Sequence, residues 1–141
     1  MKKVFLRYWN NPTTQLLFRY GIVGVLASVV HFSIALFSYK VLQINFFVSH
    51  FSGFLFGLFT AYFGHYFYSF NDNQKHQKRF PKFVITSLTA LVLHQGGAYT
   101  LVNWVKLDYS SRVLPMLVVI VPVFTFLLNK FWVFSPIDEE M

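Results

Sequence analysis

Four stretches of the chain are apolar and long: about residues 17–39, 47–69, 83–105 and 113–134. A bilayer core of about 30 Å needs roughly 20 apolar residues when crossed as an α-helix. Each stretch meets that length, and none contains an aspartate or a glutamate. The five acids are Asp72, Asp108, Asp138, Glu139 and Glu140, all between or after the stretches. The pattern predicts four transmembrane helices joined by short loops, an all-α membrane protein.

The pattern also repeats. Arg19, Tyr20, Ile22, Ala27, His31 and Ala35 stand 63 positions before Lys82, Phe83, Ile85, Ala90, His94 and Ala98. Later, His65, Phe67 and Phe70 stand 64 positions before Asn129, Phe131 and Phe134, which places a one-residue slip in the intervening loop. Such self-similarity is the mark of a duplicated unit. The unit is a hairpin of two spans, with copies at 19–70 and 82–134. An even number of spans gives both copies one orientation, related by a pseudo-twofold axis along the membrane normal.

Charge then sets that orientation. Lys2, Lys3, Arg7, Arg19, Lys75, Lys78, Arg79, Lys82 and Lys130 fall on one side; Lys40, Lys106 and Arg112 fall on the other. By the positive-inside rule both termini and the 70–82 loop are cytoplasmic. The net charge of +7 is therefore topological rather than a nucleic-acid footprint. Residues 1–16 (MKKVFLRYWNNPTTQL) suit either an amphipathic segment on the cytoplasmic leaflet or a frayed basic tail. Residues 17–135 form the membrane domain, and 136–141 a cytoplasmic tail.

Composition supports lipid as the solvent. Apolar residues make up 55% and charged residues 12%, against about 25% charged in a typical soluble domain. Cysteine is absent, so disulfides and thiol chemistry are excluded.

Within span two, Ser49, Gly53, Gly57, Ala61 and His65 recur every four residues. Small residues on one face let helix backbones approach closely in lipid. Gly53, Gly57 and Ala61 are therefore expected to pack against a neighbouring helix or a second copy of the chain, a homodimer being the simplest assembly. Pro122 lies inside span four and is expected to kink it.

Polar groups inside spans are costly and so are candidates for function. His31 and His94 each lie twelve residues beyond a basic span end, about 18 Å along the helix and near the midplane. With Gln95 they form either a polar path for a passing head group or hydrogen-bonded glue between helices. Arg19, Lys82 and Lys130, with Asn129, stand at cytoplasmic span ends. They either anchor the interface by snorkelling or bind an anionic head group. No metal site or cofactor is expected. No carboxylate pair, HExxH motif or glycine-rich phosphate loop is present to support an enzyme.

The opening Arg19-Tyr20-Gly21-x-x-Gly24, the four spans and the closing Asn129-Lys130-x-Trp132-Val133-Phe134 resemble the GtrA-like family over about residues 17–135. The resemblance implies a small multi-pass protein of the bacterial inner membrane serving cell-surface polysaccharide synthesis. It implies translocation of a polyprenyl-phosphate-linked sugar, such as undecaprenyl phosphate glucose, for use by a membrane glycosyltransferase. On that reading Arg19, Lys82, Asn129 and Lys130 hold the phosphate. A non-transporting partner of a glycosyltransferase and a small-solute efflux carrier are the rival readings.

Overall fold

The computed structural model describes residues 11–136. The expected amphipathic segment therefore lies mostly outside the described residues, as does nearly all of the tail. The chain forms two compact units, Met1–Asn73 and Gln74–Met141. Among the described residues all regular structure is helical.

The first unit is a helical hairpin. Helix α1 spans Pro12–Lys40. Asn11 caps it, its side chain accepting from the Thr13 amide at 2.9 Å, and Pro12 occupies the first turn, where no amide donor is lost. Residues 12–16 thus belong to the first span rather than to a separate segment. Helix α2 spans Phe46–Gly64 and runs on through a five-residue π-turn, His65–Ser69. The hairpin closes on the small-residue face. A Cβ on Gly53 would meet the His31 carbonyl oxygen at 2.5 Å and the Ala35 Cβ at 2.9 Å, and one on Gly57 would meet the Ala27 carbonyl oxygen at 3.1 Å. The expectation that this face also serves a homodimer needs correction: α1 already covers Gly53 and Gly57, so they present no surface to a second copy.

The second unit is also a hairpin. Helix α3 spans His76–Asn103 with Pro81 inside it. The sequence reading placed 70–82 in a loop, and this is corrected: the helix starts seven residues before the expected span. Pro81 is the sixth residue of the helix, one turn beyond its start, and removes one amide from the hydrogen-bond ladder there. Helix α4 spans Leu114–Leu128, preceded by a π-turn at Tyr109–Val113 and followed by another at Asn129–Val133. Within α4 the Thr125 hydroxyl donates to the Pro122 carbonyl at 3.0 Å. Packing between α3 and α4 includes Gly97 against Leu117 and the Phe83 and Phe134 rings, 6.3 Å apart.

The two connecting turns agree bond for bond. In the first, Val41 and Leu42 donate to the Phe37 carbonyl and Ile44 to that of Ser38; in the second, Trp104 and Val105 donate to Thr100 and Leu107 to Leu101. Gln43 and Lys106 both take positive φ, 56° and 60°. Asn45 then caps α2 through the Val48 amide at 3.0 Å, and Asp108 receives the Ser111 amide at 2.8 Å. Each member of a pair lies 63 positions from its counterpart. The spacing becomes 64 only beyond Tyr109–Val113. The offset of 63 thus holds through the turns, and the Tyr109–Val113 π-turn that follows is a form by which a helix absorbs one extra residue.

Asp108 is exposed. Its carboxylate is held below the usual carboxylate range by the Ser111 amide, then by the hydroxyls of Ser111 and Ser110.

Among the described residues three helices are long and apolar enough to cross a membrane: Pro12–Lys40, Phe46–Ser69 and Tyr109–Val133. Helix α3 has the length but not the hydropathy, because His94, Gln95 and two glycines interrupt its apolar run. Four spans were expected and three meet the composition test. Large apolar side chains point outward throughout, Phe47 being 84% and Trp104 75% exposed. Exposed apolar surface on this scale requires a non-aqueous partner. The protein is an all-helical, multi-pass membrane protein.

Candidate functional site

Each hairpin has a turn end and an open end, and the conspicuous chemistry is at the open ends. In the first, the His65 ring lies stacked on Tyr20, centroids 4.1 Å apart and planes 15° off parallel. Phe70 meets both rings edge-on. The His65 Nδ1 is 3.1 Å from the Ser69 hydroxyl, one turn on. His65 and Ser69 are buried, so this cluster is a fixed plug rather than a free ligand. Arg19 stands beside it, exposed, with its guanidinium over the Tyr68 ring at 5.7 Å. A guanidinium on an aromatic face keeps its outer donors available.

In the second hairpin Lys82 is half-buried on α3. Asn129 is buried and opens the last π-turn. Lys130 follows, its ammonium over the Phe126 and Phe131 rings at 5.9 and 5.3 Å. The turn is closed by the Phe134 amide donating to the Asn129 carbonyl at 2.8 Å. Helix α3 reaches this end through Arg79, whose guanidinium donates to the Val133 carbonyl at 2.8 Å and the Ser135 carbonyl at 3.1 Å. Lys82, Asn129 and Lys130 thus share one end of one hairpin, and Arg19 stands at the open end of the other. Among the described residues of the second unit the only acid is Asp108, at the opposite end. A basic end of this kind is suited to an anion.

The residues expected to form a midplane path are distributed differently. His31 is half-buried on α1. Its ring lies 4.9 Å from that of His50 on α2, and its Nε2 is enclosed with no hydrogen-bond partner among the described residues. His94 is half-buried and Gln95 exposed on α3, in the other unit. The structure thus pairs His31 with His50, which the sequence reading left aside. Ser52 and Thr60 donate back to carbonyls one turn earlier, so they contribute no polar path.

Arg79 was counted among the loop cations and is in fact buried. A signal for it existed. Arg79, Phe83 and Thr86 fall at i, i+4 and i+7, one face of a helix, and all three are buried. The proline between them disguised the helix.

Comparison with known proteins adds the last element. The family model described as GtrA/DPMS, transmembrane domain, matches residues 19–134. No curated protein and no solved structure matches the chain significantly. The family match begins at Arg19 and ends at Phe134, and so takes in both hairpins and both basic open ends. The chain belongs to the GtrA/DPMS transmembrane-domain family.

Proposed function

We propose that the protein is a flippase-like carrier for a polyprenyl-phosphate-linked sugar, such as undecaprenyl phosphate glucose, in the bacterial inner membrane. The observation that carries the proposal is the basic open end of the second hairpin, where Lys82 on α3 and Asn129 and Lys130 in the last π-turn share one end. Family membership over both hairpins points the same way. The matching hydrogen bonds of the two turns support reading the hairpins as copies of one unit in one orientation. The excess of lysine and arginine at the open ends supports placing those ends, and both termini, in the cytoplasm.

On this reading a phosphate meets cations at the cytoplasmic surface. Lys82, Asn129 and Lys130 supply donors at the open end of the second hairpin, and Arg19 offers a cation at the open end of the first. His31, His94 and Gln95 offer polar contacts deeper in the membrane, and the isoprenoid tail stays in lipid. The protein makes and breaks no covalent bond; it serves a membrane glycosyltransferase on the outer side. A homo-oligomer would use a face other than that of Gly53 and Gly57.

The test is flipping in reconstituted vesicles. The double variant Arg19→Ala/Lys130→Ala should lower the rate at least about tenfold, the loss expected from removing charge-assisted contacts. Unaltered flipping would remove this assignment of the phosphate site. Co-purification with a glycosyltransferase, together with no flipping by the isolated wild type, would favour the non-transporting partner.

A further inference from the structure

Nine lysines and arginines lie among the described residues, and Arg79 alone is buried, at 1% exposure. A charge in that position is destabilising unless well partnered. Its partners include two backbone carbonyls, Val133 and Ser135, at the C-terminal end of the helix that starts as α4. Carbonyls there lack amide partners within the helix and carry its negative dipole end. A guanidinium fork satisfies two at once, which a single ammonium cannot do in the same geometry.

The place of this bond gives it a further consequence. Val133 closes the π-turn that Asn129 opens, and Lys130 sits inside that turn. Lys82 lies three residues beyond Arg79 on α3. The Arg79 fork is thus the polar link between the helix carrying Lys82 and the turn carrying Asn129 and Lys130. Phe83 against Phe134 is the apolar link at the same level.

We propose that Arg79 is a positioning residue of the phosphate-binding end. Held on the Val133 and Ser135 carbonyls, it sets the register of Asn129 and Lys130 against Lys82, and so favours a phosphate-bearing lipid over a neutral one. The inference rests on reading Lys82, Asn129 and Lys130 as phosphate contacts.

The experiment uses the full chain in mild detergent and two probes, undecaprenyl phosphate and undecaprenol, with binding of each measured by native mass spectrometry. Wild type should prefer the phosphate lipid. Arg79→Gln, which removes the charge, should weaken phosphate-lipid binding about tenfold or more. Arg79→Lys, which keeps the charge and loses the fork, should fall between the two. Undecaprenol binding should not change in either. In a Trp9→Phe/Trp104→Phe background the emission of Trp132, inside the π-turn, should shift in both. Should Arg79→Gln fail to fold, Arg79→Lys decides, and wild-type preference with unmoved Trp132 emission overturns the proposal. Equal loss of both lipids also overturns it, since that is a purely structural effect. Lys82→Gln/Lys130→Gln separates the two claims. If that variant keeps wild-type preference, the phosphate site itself is wrong and Arg79 falls with it. If it loses the preference while both Arg79 variants keep it, only the role of Arg79 is wrong.

Discussion

Replacing Gly53 by alanine adds one methyl group where the first hairpin has no room. The new Cβ would lie 2.5 Å from the His31 carbonyl oxygen, 2.8 Å from the His31 Cδ2 and 2.9 Å from the Ala35 Cβ, whereas ordinary contact begins at 3.4 Å. The nearest atom is backbone, so it cannot rotate away. Helices α1 and α2 must separate by roughly 0.5–1 Å, a gap that forfeits a quarter to a half of each dispersion contact across the seam. Overpacking of this kind costs about 1–3 kcal/mol. Gly21 and Gly24 are the controls, since a Cβ at either meets nothing within 4 Å. Alanine there should stay within about 0.5 kcal/mol of wild type, as open-surface substitutions do. Gly57, with contacts at 3.1 Å, should fall between. The assay is unfolding by sodium dodecyl sulfate in mixed micelles, followed by tryptophan fluorescence. Helices survive in that unfolded state, so packing rather than helix propensity is read. A Gly53→Ala protein as stable as Gly21→Ala would refute the packing of the small-residue face against α1.

Three further outcomes follow from the same structure. His65→Ala should cost about 2–3 kcal/mol in the same titration, because a buried ring stacked on Tyr20 is lost; a cost below about 0.5 kcal/mol would show that the plug does not hold the open end. Asp108 contributes stability that is present above its unfolded pKa of about 3.9 and is lost as pH falls through its lower folded value. Asp108→Asn should keep the cap, as Asn45 does in the first hairpin, and should lose less stability than wild type between pH 5 and pH 3; identical acid profiles would contradict this. Deleting Ser110 should convert the Tyr109–Val113 π-turn to regular α-helix and leave a folded protein, by circular dichroism and size-exclusion chromatography, whereas deleting Val118 from mid-helix should not. Equal damage from both deletions would argue against the extra residue lying in that turn.

The helices were legible where apolar runs are unbroken. Helices α1 and α2 and the run after Val113 appear in the sequence almost as they fold, because their few charges, Arg19, Lys40 and Lys130, lie toward their ends. The start of α3 was legible only in the spacing of Arg79, Phe83 and Thr86, which Pro81 disguised. Lys78, Arg79, Pro81 and Lys82 read as loop residues, and the burial of Arg79 against carbonyls 54 and 56 positions away shows otherwise. Backbone acceptors leave no trace in a side-chain pattern, so such a partner could not be inferred. The offset change from 63 to 64 was visible. Its location was not, since a helix can absorb one residue as a π-turn without any special composition.

The candidate site was legible by residue type and less so by geometry. Arg19, Lys82, Asn129 and Lys130 do stand at open ends. Aromatic rings lie under the Arg19 and Lys130 cations themselves, a geometry the residue types alone do not give. His31 was picked out for its depth, and its neighbour His50 was not, because His50 lies a single turn into α2 and has no histidine 63 positions later.

The central claim is that this hairpin pair carries a phosphate-linked lipid sugar across the bilayer. Purified wild-type protein in vesicles loaded with fluorescent undecaprenyl phosphate glucose should raise the rate at which inner-leaflet lipid becomes reachable by an impermeant quencher, well above that of protein-free vesicles. Equal rates with and without the protein would contradict it.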